Sequence, residues 1–319
     1  ILGHTPDGEP IRLLSESVLN GTILMILATC IVSTFATQRG AHNIAMNHAQ
    51  DDAEKAPRRE DHILIPVANE RPVDELVGLS AMLKRPKEPN GLYALHAIDN
   101  KAEDPNIAAT TAAAGDLYLQ QLLRYDVNIS NAIVSVVRER NITDIVLGMH
   151  QRTPGMPAIP AIPGIPGASG PGIGRMVTDV LMQSNVTTFI YSPAQPLATV
   201  KRHLIVVPEK AEKEAGFQAW VHRIRQLAEN SGAKIVFFAS EGTLEHLRPR
   251  RGRKLPANIG FVAFDRWDDL PSLEHDLRND DCLWFVMSRR ERVSYHPAMN
   301  RIPGYLEQYF AGYSYVLLC

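Results

Sequence analysis

His62-Ile-Leu-Ile-Pro-Val67 is a short apolar run closed by proline, and His203-Leu-Ile-Val-Val-Pro208 repeats it. Apolar runs of four to eight residues bounded in this way read as buried strands. Working outward from the first copy, strands are predicted over 91–98, 125–129, 144–148 and 186–191. They alternate with helical spacing over 73–84, 107–123, 131–140 and 173–182. Outward from the second copy, a helix is predicted over 217–229 and strands over 234–239, 259–264 and 282–288. A helical stretch over 302–310 and a last strand over 313–318 follow. Alternation of this kind predicts an α/β fold, an open parallel sheet with helices on both faces. Its recurrence predicts two copies of one domain, over 61–195 and 200–319, rather than a short solenoid repeat. The landmarks Met149 and Met287 keep the spacing, and the shortening after them falls where the first copy carries an insertion.

Composition narrows the function classes. The chain has 319 residues, 45% apolar and 21% charged, with a formal net charge of −2. It is too apolar for a disordered chain, and its balanced charge excludes a dedicated nucleic-acid binder, which needs surplus Lys and Arg. Cys30, Cys282 and Cys319 have neither a disulfide framework nor metal-ligand spacing. A reducing, intracellular setting is expected.

The averages hide an anomaly at the N-terminus. No charged residue occurs over 17–38. A helix of that length crosses a bilayer core of about 30 Å. The flank before it is mixed in charge (Asp7, Glu9, Arg12, Glu16), unlike the basic start of a signal peptide. The segment reads either as a transmembrane helix or as a buried helix of a soluble domain. Gly21, Thr22, Thr29, Ser33 and Thr34 suit a helix packed among membrane neighbours, with hydroxyls bonding across. Arg39, Lys55, Arg58 and Arg59 on the far side place the rest of the chain in the cytoplasm. Residues 39–60 read as a linker, and the start at Ile1 reads as a cut from a longer protein.

Prolines at 154, 157, 160, 163 and 166 recur every third residue within the insertion 154–172. This is the polyproline II period, so the segment is either a docking strip for a proline-reading partner or a stiff solvated loop.

Several landmarks of 61–195 now fall together: a first strand ending Pro66-Val67, a later strand Asp144-Ile-Val-Leu-Gly148, a glycine-rich loop, then Gly174-Arg-Met-Val-Thr-Asp-Val-Leu181 and a closing strand. This half resembles the universal stress protein family. The resemblance implies an open, mainly parallel five-stranded sheet and, in many members, ATP held on loop glycines beside a helix N-terminus. Carried over by position, the implied nucleotide contacts are Ala68, Asn69, Gly148, Gly172, Gly174 and Arg175. The pattern departs from the family at three points: Gln151 stands at the second glycine, Arg175 at the Ser or Thr, and Ala68 at a frequent Asp. Arg175 either pairs a phosphate or is an exposed helix start. The second half has no glycine loop; its corresponding strand ends Val286-Met-Ser-Arg-Arg290, and it reads as a degenerate structural partner.

Across nearly its whole length the chain resembles the C-terminal part of a bacterial cation:proton antiporter of the monovalent cation:proton antiporter-2 type. Leu19-Asn-Gly-Thr-Ile-Leu-Met-Ile-Leu27 and Phe264-Asp-Arg-Trp-Asp-Asp-Leu270 carry that likeness. The resemblance implies a last transmembrane helix within 17–38 and tandem stress-protein-like domains in the cytoplasm below the bacterial inner membrane. Ion and proton sites would lie on helices upstream of this chain, since nothing in 17–38 titrates near neutral pH. Expected partners are the rest of the antiporter membrane domain and a second copy in a homodimer. Expected ligands are ATP, AMP or a cyclic dinucleotide, with no enzymatic activity. A free-standing nucleotide-binding stress protein and a ligand-free dimerisation module are the alternatives.

The remaining clusters are read more plainly. Arg248, Arg250, Arg251, Arg253 and Lys254 form a basic run that either meets anionic lipid or is a solvated loop. His42, His48, Asp51 and Asp52 match no metal-ligand spacing. Asp265, Asp268 and Asp269 around Trp267 read as a helix start, Cys282 as a core residue, and no nucleophile motif is present.

Overall fold

The computed structural model describes residues 2–4, 10–12, 17–34, 37, 60–67, 73–85, 90–98, 106–126, 128–149, 175–248 and 256–319. The chain divides into two compact units, Ile1–Ala56 and Pro57–Cys319.

The first unit holds a small antiparallel pair, β1 (Leu2–His4) and β2 (Pro10–Arg12), with Gly3 opposite Ile11. It also holds one helix, α1 (Ser17–Thr34), 18 residues long and about 27 Å at 1.5 Å per residue. All of its side chains are exposed. Its hydroxyls do not wait for a neighbouring helix. Thr22 donates to Val18 O at 2.8 Å, Thr29 to Met25 O at 2.9 Å and Thr34 to Cys30 O at 2.8 Å. Each of these three hydroxyls donates within its own helix, to the carbonyl four residues back.

The second unit is built on one ten-stranded sheet. Its first five strands are β3 (Ile63–Val67), β4 (Leu92–Ile98), β5 (Leu119–Tyr125), β6 (Asp144–Gly148) and β7 (Thr187–Ser192). The other five are β8 (Arg202–Val206), β9 (Lys234–Ala239), β10 (Ile259–Ala263), β11 (Asp281–Val286) and β12 (Ser314–Leu318). The spatial order is β10-β9-β8-β11-β12-β7-β6-β3-β4-β5. The order within the first five is thus matched within the second five. Every pairing is parallel except the central one, where β12 meets β7 antiparallel with Val316 opposite Tyr191. Thr188 and Cys319 extend that seam by exchanging backbone hydrogen bonds of 3.0 and 2.9 Å.

Pleating sorts the strand residues to two cores. Ile63, Ile65, Ile205 and Val207 pack on one face, beneath α2 (Val73–Leu83), α6 (Phe217–Ser231) and α7 (Glu241–Leu247). Leu64, Leu204 and Val206 pack on the other, against α4 (Ile129–Glu139), α5 (Arg175–Gln183) and α8 (Ile302–Gln308). The longest of these helices follows its sequence closely. Phe217, Trp220, Val221, Ile224, Leu227 and Ala228 recur at helical spacing and are buried, and Gly232 ends α6 with a left-handed φ of 65°. Gly91 is needed for space as well as for its φ of +108°, since a Cβ there would stand 2.0 Å from the carbonyl oxygen of Asp61.

One stretch departs from expectation. The predicted helix over 107–123 and strand over 125–129 are in fact α3 (Asn106–Ala114) followed by β5, which ends at Tyr125. Gly115, with φ +51°, breaks the helix. The strand beyond it, LQQLLRY, is an outer edge and only partly buried, so its residues do not alternate cleanly. The short helix α7 was not anticipated, whereas the helix start read around Trp267 is present as a 3-10 segment, Trp267–Asp276, with Asp268 and Asp269 in its first turn.

Candidate functional site

A ligand site in an open parallel sheet forms where strand order reverses, outside the carboxyl ends of the two strands flanking the reversal. In the first five strands the chain runs β3 to β4 to β5 outward, then returns to β6 and β7 on the other side of β3. The reversal therefore lies between β3 and β6, whose carboxyl ends are Val67 and Gly148. Of the expected nucleotide contacts, Gly148 is described: it is partly exposed and lies opposite Tyr191 of β7. The next residue, Met149, donates its N–H to Tyr191 O at 2.8 Å and is buried. Arg175 opens α5, so this end of the helix starts where an anion is best received; its side chain lies outside the described set. Ala68, Asn69, Gly172, Gly174 and the proline-rich segment 154–172 also lie outside the described residues.

The segments around this end are tied down by groups that were not singled out from the sequence. Asn128 caps α4, its side-chain oxygen accepting from Ser130 N at 3.0 Å and Asn131 N at 3.4 Å. Ser130 Oγ reaches Met176 O at 3.4 Å, tying the start of α4 to the first turn of α5. An Asn immediately before an apolar helical stripe was the available signal.

At the opposite, amino end of β3 and β6 sits a buried charge cluster. Arg223 of α6 places Nε 3.0 Å from Asp144 Oδ2, with a shorter contact from its other terminal nitrogen, and Nη1 2.8 Å from Asp61 Oδ1. The Thr143 hydroxyl lies 2.6 Å from Asp144 Oδ2. Arg85 adds Nε at 3.5 Å from Asp61 Oδ2 and donates to His222 Nε2 at 3.2 Å. Burial alone would lower the Arg223 pKa, but Asp144 and Asp61 hold it above its ordinary value. The His222 pKa is pushed down by burial and by the adjacent Arg223 and Arg85, and its Nε2 accepts the hydrogen bond that Arg85 Nε donates. The second five strands solve the same problem locally. Asp281 opens β11, is fully buried, and is gripped by Arg202 of β8 through Nε at 2.8 Å and Nη2 at 2.6 Å.

Burial pushes the Cys282 thiol up and keeps it protonated, and burial, helped by Cys282 and Glu75, does the same to the Tyr191 phenol. Arg248, the described member of the basic run, pairs with Glu241 at 2.7 Å and lies 5.8 Å from the Phe261 ring centre. Arg250, Arg251, Arg253, Lys254 and the linker residues His42, His48, Asp51 and Asp52 lie outside the described residues.

No protein-family profile matches this sequence, and no curated protein sequence is similar to it. Solved structures do resemble it. A putative universal stress protein from Pseudomonas aeruginosa UCBPP-PA14 has a TM-score of 0.51 at 12% identity, covering 81% of this chain and 92% of that one. A universal stress protein from Archaeoglobus fulgidus DSM 4304 has a TM-score of 0.47 at 10% identity, covering 81% of this chain and 98% of that one. Such identities speak to fold alone. The body of this chain is a mostly parallel α/β sheet with the fold of the universal stress proteins, and one long apolar helix precedes it.

Proposed function

We propose that the chain is the cytoplasmic regulatory and assembly region of a bacterial cation:proton antiporter for Na+ or K+, tethered to the inner membrane by α1. The observation that carries this reading is α1 itself. It is charge-free over 18 residues, exposed along its whole length, and its threonine hydroxyls are satisfied internally. Burying its apolar side chains requires either lipid or other apolar helices. In this reading the stress-protein-like body binds or assembles rather than catalyses. It biases the transport cycle only if its ligand binds two states of the transporter unequally.

The full chain is expected to sediment with membranes and to resist alkaline carbonate extraction, and deletion of 17–34 is expected to release it. A full chain that stays in the soluble fraction sinks the membrane reading. The antiporter reading has a separate check in the coding sequence upstream of Ile1. Ten or more hydrophobic segments are expected there; an initiator Met immediately upstream, with no such segments, leaves a free-standing stress protein. That second reading is favoured by the length match, since the Pseudomonas structure is covered over 92% of its chain.

For either reading, the proposed ligand is ATP, AMP or a cyclic dinucleotide at the carboxyl ends of β3 and β6, with Arg175 on a phosphate. Calorimetric titration is expected to give binding that Arg175→Ala weakens about tenfold or more, the scale of one charge-assisted hydrogen bond. Binding unchanged in that variant removes Arg175 from the site, and no heat with any nucleotide leaves assembly as the role. Homodimerisation, if it is that role, has a constrained geometry. The last strands β7 and β12 already pair with each other, so among the described residues the outer strands of the sheet are β5 and β10. Leu117, Tyr118, Leu123 and Tyr125 are exposed at the β5 edge.

A further inference from the structure

The second five strands reverse order between β8 and β11, as the first five do between β3 and β6. Here the segments following the two flanking strands are described, and they are joined by a seated carboxylate. Glu214, downstream of β8, places Oε1 3.2 Å from Ser294 N and 2.9 Å from Ser294 Oγ, both of which donate to it. Arg292 Nε stands 3.9 Å from the other carboxylate oxygen. Ser294, downstream of β11, is only 4% exposed. The same β8 segment is held from its other side. Thr243 of α7 donates its hydroxyl to Glu212 at 2.9 Å and accepts the Lys210 N–H at 3.2 Å.

A backbone N–H and a hydroxyl that donate to one carboxylate, with a guanidinium at ion-pair distance, are groups of the kind that proteins use for small oxyanions. The occupant here is supplied by the chain itself. We propose that the second half keeps an anion site of this composition, closed in cis by Glu214, and that it accepts a phosphate-type oxyanion when that carboxylate is removed. Competition makes the contact exclusive, because two anions cannot share the same two donors and one cation. In the second half, which has no glycine loop, the segment after β11 thus receives a side chain of its own chain. The inference goes beyond the membrane reading and does not rest on it.

The test is thermal unfolding of the full chain in detergent micelles, with inorganic phosphate against chloride at equal ionic strength. Glu214→Ala is expected to gain a phosphate-dependent rise in Tm about 2–4 °C larger than that of the unmodified chain. Adding Ser294→Ala to that variant is expected to abolish the gain. Equal phosphate responses in Glu214→Ala and the unmodified chain overturn the proposal, as does a gain that survives Ser294→Ala. If Glu214→Ala fails to fold, Glu214→Gln replaces it. The neutral amide keeps the shape and removes the competing charge, so a smaller phosphate-dependent gain is expected, and no gain overturns the proposal.

Discussion

Replacing Arg223 by alanine is expected to destabilise the Pro57–Cys319 unit by about 3–5 kcal/mol, the cost of leaving buried carboxylates without their cation. Asp61 and Asp144 are 3% and 2% exposed, and Arg223 contacts both. Arg85 reaches Asp61 but is 3.5 Å away and more exposed, so Asp144 is left with the Thr143 hydroxyl alone among these groups. The loss should show as a fall in the urea midpoint with little change in slope. Neutralising the carboxylate in the same background, Arg223→Ala with Asp144→Asn, should recover part of it. Arg124→Ala provides the contrast. Its pair with Glu139 lies at the surface, with side chains 43% and 47% exposed, and such pairs contribute about 0–1 kcal/mol. An Arg223→Ala variant as stable as Arg124→Ala would show that the cluster does not hold the sheet together.

That cluster also marks the limit of what the sequence made legible. Strands β6 and β9 were readable because each carries an unbroken apolar stretch, 145–147 and 235–239, and both are bounded where the sequence reading bounded them. The α6 stripe was readable because one face carries every large apolar residue. Arg223 was not: within α6 it is one of several polar residues, and its burial depends on Asp61 and Asp144, both more than 75 residues away in the chain. Nothing local couples those positions. The β5 edge was misread for a related reason. A strand paired on one side only carries mixed residues, and Leu119-Gln-Gln-Leu-Leu-Arg-Tyr125 fits helical spacing as well as pleating. The left-handed Gly115 was the local sign that a helix ends there. At the candidate site, Gly148 was placed correctly at a strand end because the strand was placed correctly. The seated Glu214 was missed because a glutamate in a polar loop resembles any solvated one until Ser294 is brought to it by the sheet.

Stability of the same unit is expected to fall with acidification between pH 6.5 and about 4, through His203. This imidazole is 1% exposed on β8, and burial lowers its pKa to about 4. Its Nδ1 accepts the indole N–H of Trp284 at 3.1 Å, which fixes the neutral ring with that nitrogen bare. The Trp284 ring meets it edge-on, with centroids 5.8 Å apart. Asp281 pulls the other way, but its carboxylate is already engaged by both nitrogens of Arg202. Because the folded value lies below the ordinary 6.5, the unfolded chain holds a proton in this window that the folded chain refuses. The stabilisation is therefore complete above about pH 6.5 and is lost as pH falls toward 4, at up to about 1.4 kcal/mol per pH unit and about 3 kcal/mol in all. His222, also lowered, contributes with the same sign, so the measurement must be a difference. His203→Gln keeps an acceptor for the indole and does not titrate. Urea unfolding at a series of pH values should give a curve for His203→Gln that is flatter than that of the unmodified chain by about this amount, with the two converging toward pH 4. Parallel curves would mean that His203 is not the group whose protonation opens the sheet in acid.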